Sequence, residues 1–420
     1  MYGQDRTYEL GPLMGKSENL CLSEAEVFSG TRHAVVTGIR RAYFDGDGER
    51  IYPYDSMRQF SIGKSVQIAG VKKELDRMKT LLETKYRGFE VYGHRGICLG
   101  RYAGAGKNPV HPLRVETGDN LALKDLALPF AEFCRRNNTA EILPFLMPAF
   151  TGLGFGSFED IPASYVLKHL GRSSMCFDAS PCWTWNEGTQ GFMEAINRKL
   201  KHPARTGTEV LRISRGDDGS TILVGLRDAS GDRTESFDRL IITSPLDAYL
   251  DLVDSTAPER VLFKKIRHDR VLRFLAVFEE GSGPSESGFF PGNTGSDRLG
   301  HAAGFYHRWE DLGDACPCTV YGYVKHGDQE VDREEALSRM EEDLRQCGYK
   351  IAEKRYVTES DSAPYVSSED FADGWYEKFD QIQGIRNTFF AGSIASFGDL
   401  DQTFASSREL VRRFFRKENG

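Results

Sequence analysis

The 420-residue sequence lacks the apolar runs that a membrane-spanning segment needs, since no stretch approaches about 18 consecutive apolar residues. Its first residues, Met1 to Arg6, also lack the apolar core of a secretory signal peptide. We therefore expect a soluble, cytoplasmic protein without a membrane span.

Cysteine is sparse, and its spacing is irregular. The eight cysteines fall at positions 21, 98, 134, 176, 182, 316, 318 and 347. This scatter through a long chain is typical of reduced thiols and not of a disulfide framework. Cys316 and Cys318 are the one close pair, and the nearest histidines, His307 and His326, complete no metal-binding pattern. We predict ordinary thiols and no metal site.

An excess of positive charge is also missing. The chain has 54 Lys and Arg against 62 Asp and Glu, which gives a net charge of −8. Such a balance disfavours a surface that binds polyanions, so nucleic acid is not an expected partner. A small-molecule substrate is the partner we predict, and the sequence leaves the oligomeric state open.

Glycine and aromatic residues are abundant. The chain contains 43 Gly, 27 Phe, 17 Tyr and 4 Trp, and 40% of its residues are hydrophobic. This supply of apolar side chains is sufficient for substantial cores and excludes global disorder. At roughly 150 residues per domain, the length indicates two or three domains.

Helical and strand patterns alternate along the chain. Apolar residues at three- and four-residue spacing predict helices over residues 64–86, 121–138, 162–170, 192–200, 334–347 and 403–416. Alternating or β-branched runs predict strands over residues 7–10, 208–214, 221–226, 238–243, 271–278, 319–324, 352–358 and 387–391. The three strands between 208 and 243 are expected to form a small meander.

The last strand and helix form the most informative pattern. An apolar strand from Asn387 runs into Gly392, and a loop then leads to a helix that begins near Gln402 and Thr403. This geometry aims backbone N–H groups and the positive end of a helix dipole at an anionic ligand. The alternative is an ordinary strand-turn-helix crossover without a ligand.

Four segments, in this order, resemble one family. They are Gly188–Phe192 before a helix, Glu209–Arg215, Asp238–Pro245 and Asn387–Thr403. Together they resemble the flavin-dependent amine oxidase-like oxidoreductases, which bind FAD. The resemblance covers roughly residues 8 to 416, and the motifs are specific through their joint order and spacing. It implies cofactor-binding roles for Val210, against the adenine, and for Pro245, Gly392, Ser393, Gln402 and Thr403.

Within that family, two further regions are similar to fungal secondary-metabolism members such as beta-cyclopiazonate dehydrogenase. One comprises Gly152–Gly156 with Ile161–Lys168, and the other comprises Tyr365 with Gly374–Lys378. The three glycines in Gly152–Gly156 are not themselves a dinucleotide fingerprint, because no regular strand precedes them. We interpret them as a turn.

One family feature is absent from the sequence. Members open with a βαβ unit that carries G-x-G-x-x-G, and this sequence has none. Tyr8 to Gly11 corresponds to the strand that follows that unit, so we expect an N-terminally truncated flavin domain. Either the reading frame starts at an internal methionine or the protein is a genuine remnant. Ser393 also stands where many members carry an acidic residue, although serine can still donate a hydrogen bond.

The resemblance implies an enzyme with an aromatic-lined cavity, in which the flavin supplies the redox chemistry. Tyr365, Trp375 and Tyr376 are the predicted substrate contacts, and Trp183 and Trp185 are further candidates. For each aromatic residue the alternative is a place in the core. His94, His301 and His307 receive no role, and no catalytic residue is assigned.

We therefore predict an α/β fold: a Rossmann-like, FAD-binding domain with an inserted α+β substrate domain. The discontinuous FAD-binding domain is expected over residues 1–30, 188–250 and 375–420, and the substrate domain over 31–187 and 251–374. The predicted function is FAD-dependent oxidation of a small hydrophobic or amine-containing metabolite by hydride transfer, in secondary-metabolite biosynthesis. The alternative is a flavin-free remnant that serves as a ligand-binding or accessory protein, or as a non-redox cyclase.

Overall fold

The computed structural model describes residues 7–11, 20–36, 41–53, 62–86, 121–174, 182–216 and 221–415. The predictions for His94, and those for the cysteines at 98 and 176, lie outside these residues. The α-helices are α1 (Leu20–Ser29), α2 (Ile62–Glu83), α3 (Leu121–Ala127), α4 (Phe130–Arg136), α5 (Leu143–Leu146), α6 (Ala163–Ser174), α7 (Gly188–Lys199), α8 (Leu246–Tyr249), α9 (Ala257–Phe263), α10 (Arg333–Gln346), α11 (Ser368–Ala372), α12 (Trp375–Gln381), α13 (Ser393–Ser396) and α14 (Leu400–Phe414).

The strands are β1 (His33–Val36), β2 (Arg41–Phe44), β3 (Arg50–Pro53), β4 (Cys182–Trp185), β5 (Glu209–Arg215), β6 (Ile222–Asp228), β7 (Gly231–Phe237), β8 (Leu240–Ile242), β9 (Arg270–Phe278), β10 (Ser287–Phe289), β11 (Ala302–His307), β12 (Cys318–His326), β13 (Gln329–Glu330), β14 (Ile351–Asp361) and β15 (Thr388–Phe390). Short 3₁₀ turns lie at Ala140–Ile142, Met147–Ala149, Thr151–Leu153, Pro291–Asn293, Ser296–Arg298, Glu310–Ala315 and Ile385–Asn387. The mixed α/β class predicted from the sequence is confirmed.

The largest sheet has the strand order β14-β9-β12-β11-β10-β2-β3, with β13 paired to β12. Its neighbouring strands are antiparallel except for the parallel pair β10 and β2. Both faces of its centre are buried. Leu272 and Phe274 pack into a cluster with helix α10, whereas Val271, Tyr321 and Tyr323 join the main core on the opposite face. A strand covered on both faces needs apolar residues at nearly every position, and from Val271 to Phe278 β9 meets this need except at Arg273.

A separate meander contains β5, β6 and β7, all antiparallel. A strand does form within residues 238–243, at Leu240–Ile242, but its expected place as the third strand of the meander was wrong. The third strand is Gly231–Phe237, whose alternation is hidden because most of its side chains are polar and exposed. Leu240–Ile242 leaves the meander and pairs in parallel with β15.

Two other expected elements differ from the sequence pattern. The helix expected over 121–138 is divided into α3 and α4, with Pro129 between them as the N-cap of α4. Proline has no N–H to donate to the preceding turn, so it ends one helix and begins the next. Residues 7–10, expected as a strand, have irregular backbone. Individual hydrogen bonds, and not strand pairing, hold them in place. One is a bond of 2.8 Å from Thr319 Oγ1 to the carbonyl of Glu9.

Helix α1 packs against both α7 and α14. These contacts bring together segments 20–29, 188–199 and 400–414, which all belong to the domain predicted to bind FAD. We retain the predicted division into domains as a proposal, and this packing supports it.

In the part of the chain that the structure describes, no helix is long and apolar enough to cross a membrane. No cluster of three or more potential metal ligands is found among the same residues. Cys21, Cys134, Cys316, Cys318 and Cys347 are free thiols, as the irregular cysteine spacing predicts for them.

Candidate active site

A cavity of about 440 Å³ lies where β8 and β15 end. The two strands are parallel, so their carboxyl ends meet at one edge. Residues 243–246, which follow β8, line the cavity together with Ala391, Ser393 and Ile394, which follow β15. Ligands of open parallel sheets bind at this edge of the strands.

Gly392 makes the turn out of β15 possible. Its φ of +95° is a conformation that residues with a Cβ rarely adopt, and a Cβ at this position would lie 2.7 Å from the carbonyl oxygen of Thr243. The glycine therefore allows the ends of β15 and β8 to approach closely. This approach shapes the cavity edge lined by Pro245 and Ser393.

Helix α14 begins at the same edge. Asp399 is its N-cap and accepts a 2.7 Å hydrogen bond from the N–H of Gln402. Thr403 links the first turn of α14 to the residues that precede the helix. Its hydroxyl donates to Asp399 O at 2.8 Å and lies 2.7 Å from Ser396 Oγ. Gly398, Asp399 and Leu400 line the cavity. The predicted pattern of strand, glycine and helix therefore does border a cavity.

Burial raises the pKa of Asp399 to about 7. A carboxylate that is unfavourable when charged stabilises the fold only in its neutral form, so its contribution is complete below pH 4 and is lost as the pH rises through 7. We predict that Asp399→Asn, which keeps an efficient N-cap, removes this dependence. Between pH 5 and pH 8 the wild type should lose on the order of 3 kcal/mol of unfolding free energy more than the variant.

Urea denaturation of both proteins at the two pH values measures this difference. Asp332→Asn is the matched control, because Asp332 is an exposed N-cap of α10. This variant should show the same dependence of unfolding free energy on pH as the wild type. Parallel pH profiles for Asp399→Asn and the wild type would contradict the assignment.

The opposite wall of the cavity comes from the large sheet and from segments packed on it. Leu153 ends a 3₁₀ turn and Gly154 and Phe155 follow it, while Arg273 projects from the middle part of β9. Gly154 has a φ of +84° and a Cβ there would meet Val271 at 3.0 Å and Arg273 Nη2 at 3.2 Å. The turn predicted for Gly152–Gly156 is therefore confirmed, and its glycine leaves space for the guanidinium.

Arg273 is a partly buried cation in this wall. Its Nη1 donates to Ser360 Oγ, and its guanidinium lies 5.6 Å from the centre of the Tyr321 ring. Burial lowers the pKa of Arg273, although a guanidinium remains charged near neutrality. Among the residues that the structure describes, no carboxylate lies within 4.0 Å of it.

Two tryptophans form a third wall. Trp183 and Trp185 both line the cavity, and the Trp185 ring stacks on Phe192 with centroids 4.1 Å apart. Trp185 Nε1 donates to Glu26 at 2.7 Å. Behind them, Arg308 donates to Thr184 Oγ1 and to the Trp185 carbonyl, and lies 3.7 Å from Glu9. The tryptophans are thus held rigidly.

His268 adds a further polar group to the wall. Its Nε2 lies 3.2 Å from Asp247 Oδ1 and its Nδ1 lies 3.4 Å from Ser362 O. Residues 361–364, which lead away from β14, complete the lining beside it.

The predicted cofactor residues fall into three groups. Pro245, Gly392 and Ser393 lie together at the cavity edge. Gln402 and Thr403 stand behind it in the first turn of α14, where the Gln402 side chain donates to Lys168 O. Val210 is on the exposed sheet β5-β6-β7, is 38% exposed and does not line the cavity.

The three aromatic residues that were predicted to contact the substrate lie outside the cavity lining. Tyr365 adjoins residues 361–364, and its hydroxyl donates to Asp269 Oδ1 at 3.1 Å. Trp375 is buried and donates to Leu262 O at 3.0 Å. Tyr376 donates to the carbonyl of the lining residue Ile394 at 3.0 Å. None of the three lines the cavity, and their roles toward a substrate remain predictions.

Three lining residues, Arg273, His268 and Asp399, were not predicted from the sequence. Arg273 carried a signal, because a single charge interrupts the otherwise apolar run Val271–Phe278. Asp399 lies a few residues before the predicted helix, and aspartate is a residue type typical of an N-cap. His301 and His307, which received no role, bond to Asp343 at 3.0 Å and to the Gly313 carbonyl at 2.7 Å.

The residues around the cavity edge fit FAD. Two parallel strand ends, a glycine that a Cβ would block and a capped helix start are the features that accommodate a dinucleotide. Ser393 is exposed at this edge, and its hydroxyl can donate to a ribityl or phosphate oxygen.

A scan of known protein families finds no match to the sequence, and no curated protein matches it. Solved structures do match. A CLA-producing fatty acid isomerase from P. acnes is 32% identical, with a TM-score of 0.82 over 99% of this chain and 89% of that chain.

Two oxidases share the fold at lower identity. Wild-type putrescine oxidase bound to putrescine is 15% identical, with a TM-score of 0.65 over 97% of this chain and 88% of that chain. Cyclohexylamine oxidase from Brevibacterium oxydans IH-35A is 14% identical, with a TM-score of 0.56 over 99% and 90%. The structural neighbours are thus amine oxidase-like flavoenzymes, and these two show similarity of fold alone.

Proposed function

The chain belongs to the family of the CLA-producing fatty acid isomerase from P. acnes, and on that premise we propose that it is an FAD-dependent enzyme that acts on an unsaturated fatty acid or a similar lipid. The observation that carries the proposal is an apolar cavity that adjoins the edge fitting FAD. Its lining is dominated by aliphatic and aromatic side chains, among them Leu22, Leu153, Phe155, Leu246, Ile266, Pro364, Ile394 and Leu400.

An apolar lining suits a hydrocarbon chain because each methylene removed from water contributes about 0.8 kcal/mol. The polar groups in the wall would then orient the substrate instead of providing most of the affinity. A small diamine makes poor use of such a surface.

The edge formed by Pro245, Gly392, Ser393 and the start of α14 would hold the cofactor. FAD, when bound, supplies reversible hydride transfer, which suits both a net oxidation and a net isomerisation. The chain's own residues would exclude water and fix the substrate. Trp183 and Trp185 would close one side of the cavity, and Phe155 would close another.

The narrower predictions from the sequence keep the status of proposals. Oxidation of an amine-containing metabolite gains support from the fold shared with two amine oxidases, but the higher identity to the isomerase favours a lipid substrate. A place in secondary-metabolite biosynthesis and the kinship with fungal enzymes have no support from the comparisons. A flavin-free ligand-binding role remains the alternative if the chain retains no FAD.

The test is incubation of the full chain with FAD and linoleate, with separate assays for conjugated dienes by ultraviolet absorption and for hydrogen peroxide. We expect the double bonds to shift without stoichiometric peroxide. Peroxide with an oxidised product would indicate a net oxidase. No change in linoleate, in a sample that holds FAD, would contradict the proposed substrate.

A matched pair of variants links the reaction to the cavity. Leu153→Trp places a large side chain in the lining and should abolish product formation. Leu223→Trp changes a leucine that is 44% exposed on the separate three-stranded sheet and should leave the reaction unchanged. Equal rates for the two variants would show that the reaction occurs elsewhere.

A further inference from the structure

Arg273 is a charged residue at a strand position whose neighbours on both sides are buried apolar residues. It lies in the middle part of β9, a strand buried on both faces, and it lines the cavity. Burying a guanidinium is costly unless an anion accompanies it. The described residues supply no carboxylate within 4.0 Å of Arg273, so its counter-charge is not part of the described fold.

Two donors at this point also lack partners. Arg273 Nε and the Tyr321 hydroxyl are both buried without a hydrogen bond. The two residues are directly opposite each other on β9 and β12, so their side chains share one face of the sheet. Arg273 lines the cavity, whereas Tyr321 is packed beside it and is not a lining residue. Because buried polar groups are normally satisfied, two unmatched donors next to a cavity point to a ligand that accepts hydrogen bonds.

We propose that Arg273, with the Tyr321 hydroxyl beside it, binds the carboxylate of the substrate. The proposal rests on the proposed function and deepens it by naming the residue that recognises the acidic group. A carboxylate suits this site because its two oxygens match the planar fork of a guanidinium. An ammonium group would instead meet an uncompensated positive charge.

The surroundings hold the guanidinium in place. Tyr321 supports one face of it, Ser360 accepts from Nη1, and Gly154 leaves space beside Nη2. Burial raises the pKa of Tyr321, so its hydroxyl keeps its proton and can donate. Arg308 is less suited to this role, because Glu9 lies 3.7 Å from it.

The position of Arg273 also sets the direction of the substrate. It stands on the large sheet, whereas the edge that fits FAD is formed by the ends of β8 and β15. A carboxylate at Arg273 would therefore direct the hydrocarbon chain from the large sheet across the apolar lining toward that edge.

The test is equilibrium binding, followed through tryptophan fluorescence because Trp183 and Trp185 line the cavity. The purified full chain is titrated with oleate, oleyl alcohol and oleylamine, first without FAD and then with it. We expect oleate to bind about 10- to 100-fold more tightly than oleyl alcohol, as a charge-assisted hydrogen bond allows. Oleylamine should bind most weakly.

Arg273→Met should abolish the preference for oleate over the alcohol, and Arg273→Lys should restore part of it. Arg270→Met is the matched control, since Arg270 is on the same strand, is paired with Glu330 at 3.0 Å and does not line the cavity. It should keep the wild-type preference.

An unchanged preference in Arg273→Met, or tightest binding of the amine, would overturn the proposal. Circular dichroism confirms that each variant is folded. The binding readout needs neither flavin nor turnover, so a failure of the proposed reaction leaves this test intact. Equal binding of acid and alcohol by the wild type would refute the role of Arg273 in binding the carboxylate, but it would not refute the proposed reaction.

Discussion

Replacing Gly392 by valine should abolish FAD binding. The valine Cβ would lie 2.7 Å from the Thr243 carbonyl, and the β-branched side chain would have to adopt a φ of +95°. Left-handed backbone alone costs a non-glycine residue about 1–3 kcal/mol. Relief of the contact would separate the ends of β15 and β8, which form the proposed cofactor edge. Visible absorption after incubation with FAD and gel filtration measures the loss.

The control for this variant is Gly281→Val. Gly281 has a φ of +71°, but a Cβ there meets nothing within 4 Å. It therefore also places a β-branched residue at a positive φ, but at a site that does not line the cavity, and FAD binding should persist. Gly392→Ala, a milder change at the same site, should reduce binding less than valine does. Normal flavin content in a folded Gly392→Val protein would place the cofactor elsewhere.

Replacing Arg215 by methionine should lower the free energy of unfolding by about 3–5 kcal/mol, because it leaves a buried charge without its partner. The Arg215 side chain is fully buried, with Nη1 and Nη2 at 2.7 and 2.8 Å from the Glu259 carboxylate. Its Nε donates to Asp254 at 2.9 Å. Although burial acts to raise the pKa of Glu259, the hydrogen bonds from Arg215 and Thr256 hold it below its usual value.

Urea denaturation tests this loss. Arg212→Met, an exposed arginine on the same strand, should change stability by no more than about 0.5 kcal/mol. Adding Glu259→Gln to Arg215→Met removes the stranded charge and should recover part of the stability. A single Arg215→Met variant as stable as Arg212→Met would show that the ion pair contributes no net stability.

Most long helices and apolar strands were predictable, since their periodicity is set by local burial. Helix α10 is an example: Asp332 caps it, and Ala336, Met340 and Leu344 recur along its buried face. The strands β7 and β10 escaped prediction for opposite reasons. β7 is a polar, exposed strand without an apolar face, and β10 has only three residues and depends on its neighbours β2 and β11.

The candidate site was predictable only on one side. The cofactor edge follows from contiguous sequence, because Gly392 and the start of α14 are close along the chain. The opposite wall joins Leu153, Arg273 and residues 361–364, which only the tertiary fold brings together. Trp375 and Tyr376 were predicted to contact the substrate but do not line the cavity. An aromatic residue next to a motif can equally be part of the core.

The most direct measurement of the central claim is a titration of the full 420-residue chain with FAD, followed by visible absorption. We predict a saturable, structured flavin spectrum that persists through gel filtration and is lost in Gly392→Val but kept in Gly281→Val. A folded chain that leaves the FAD spectrum unchanged at every concentration would contradict the account.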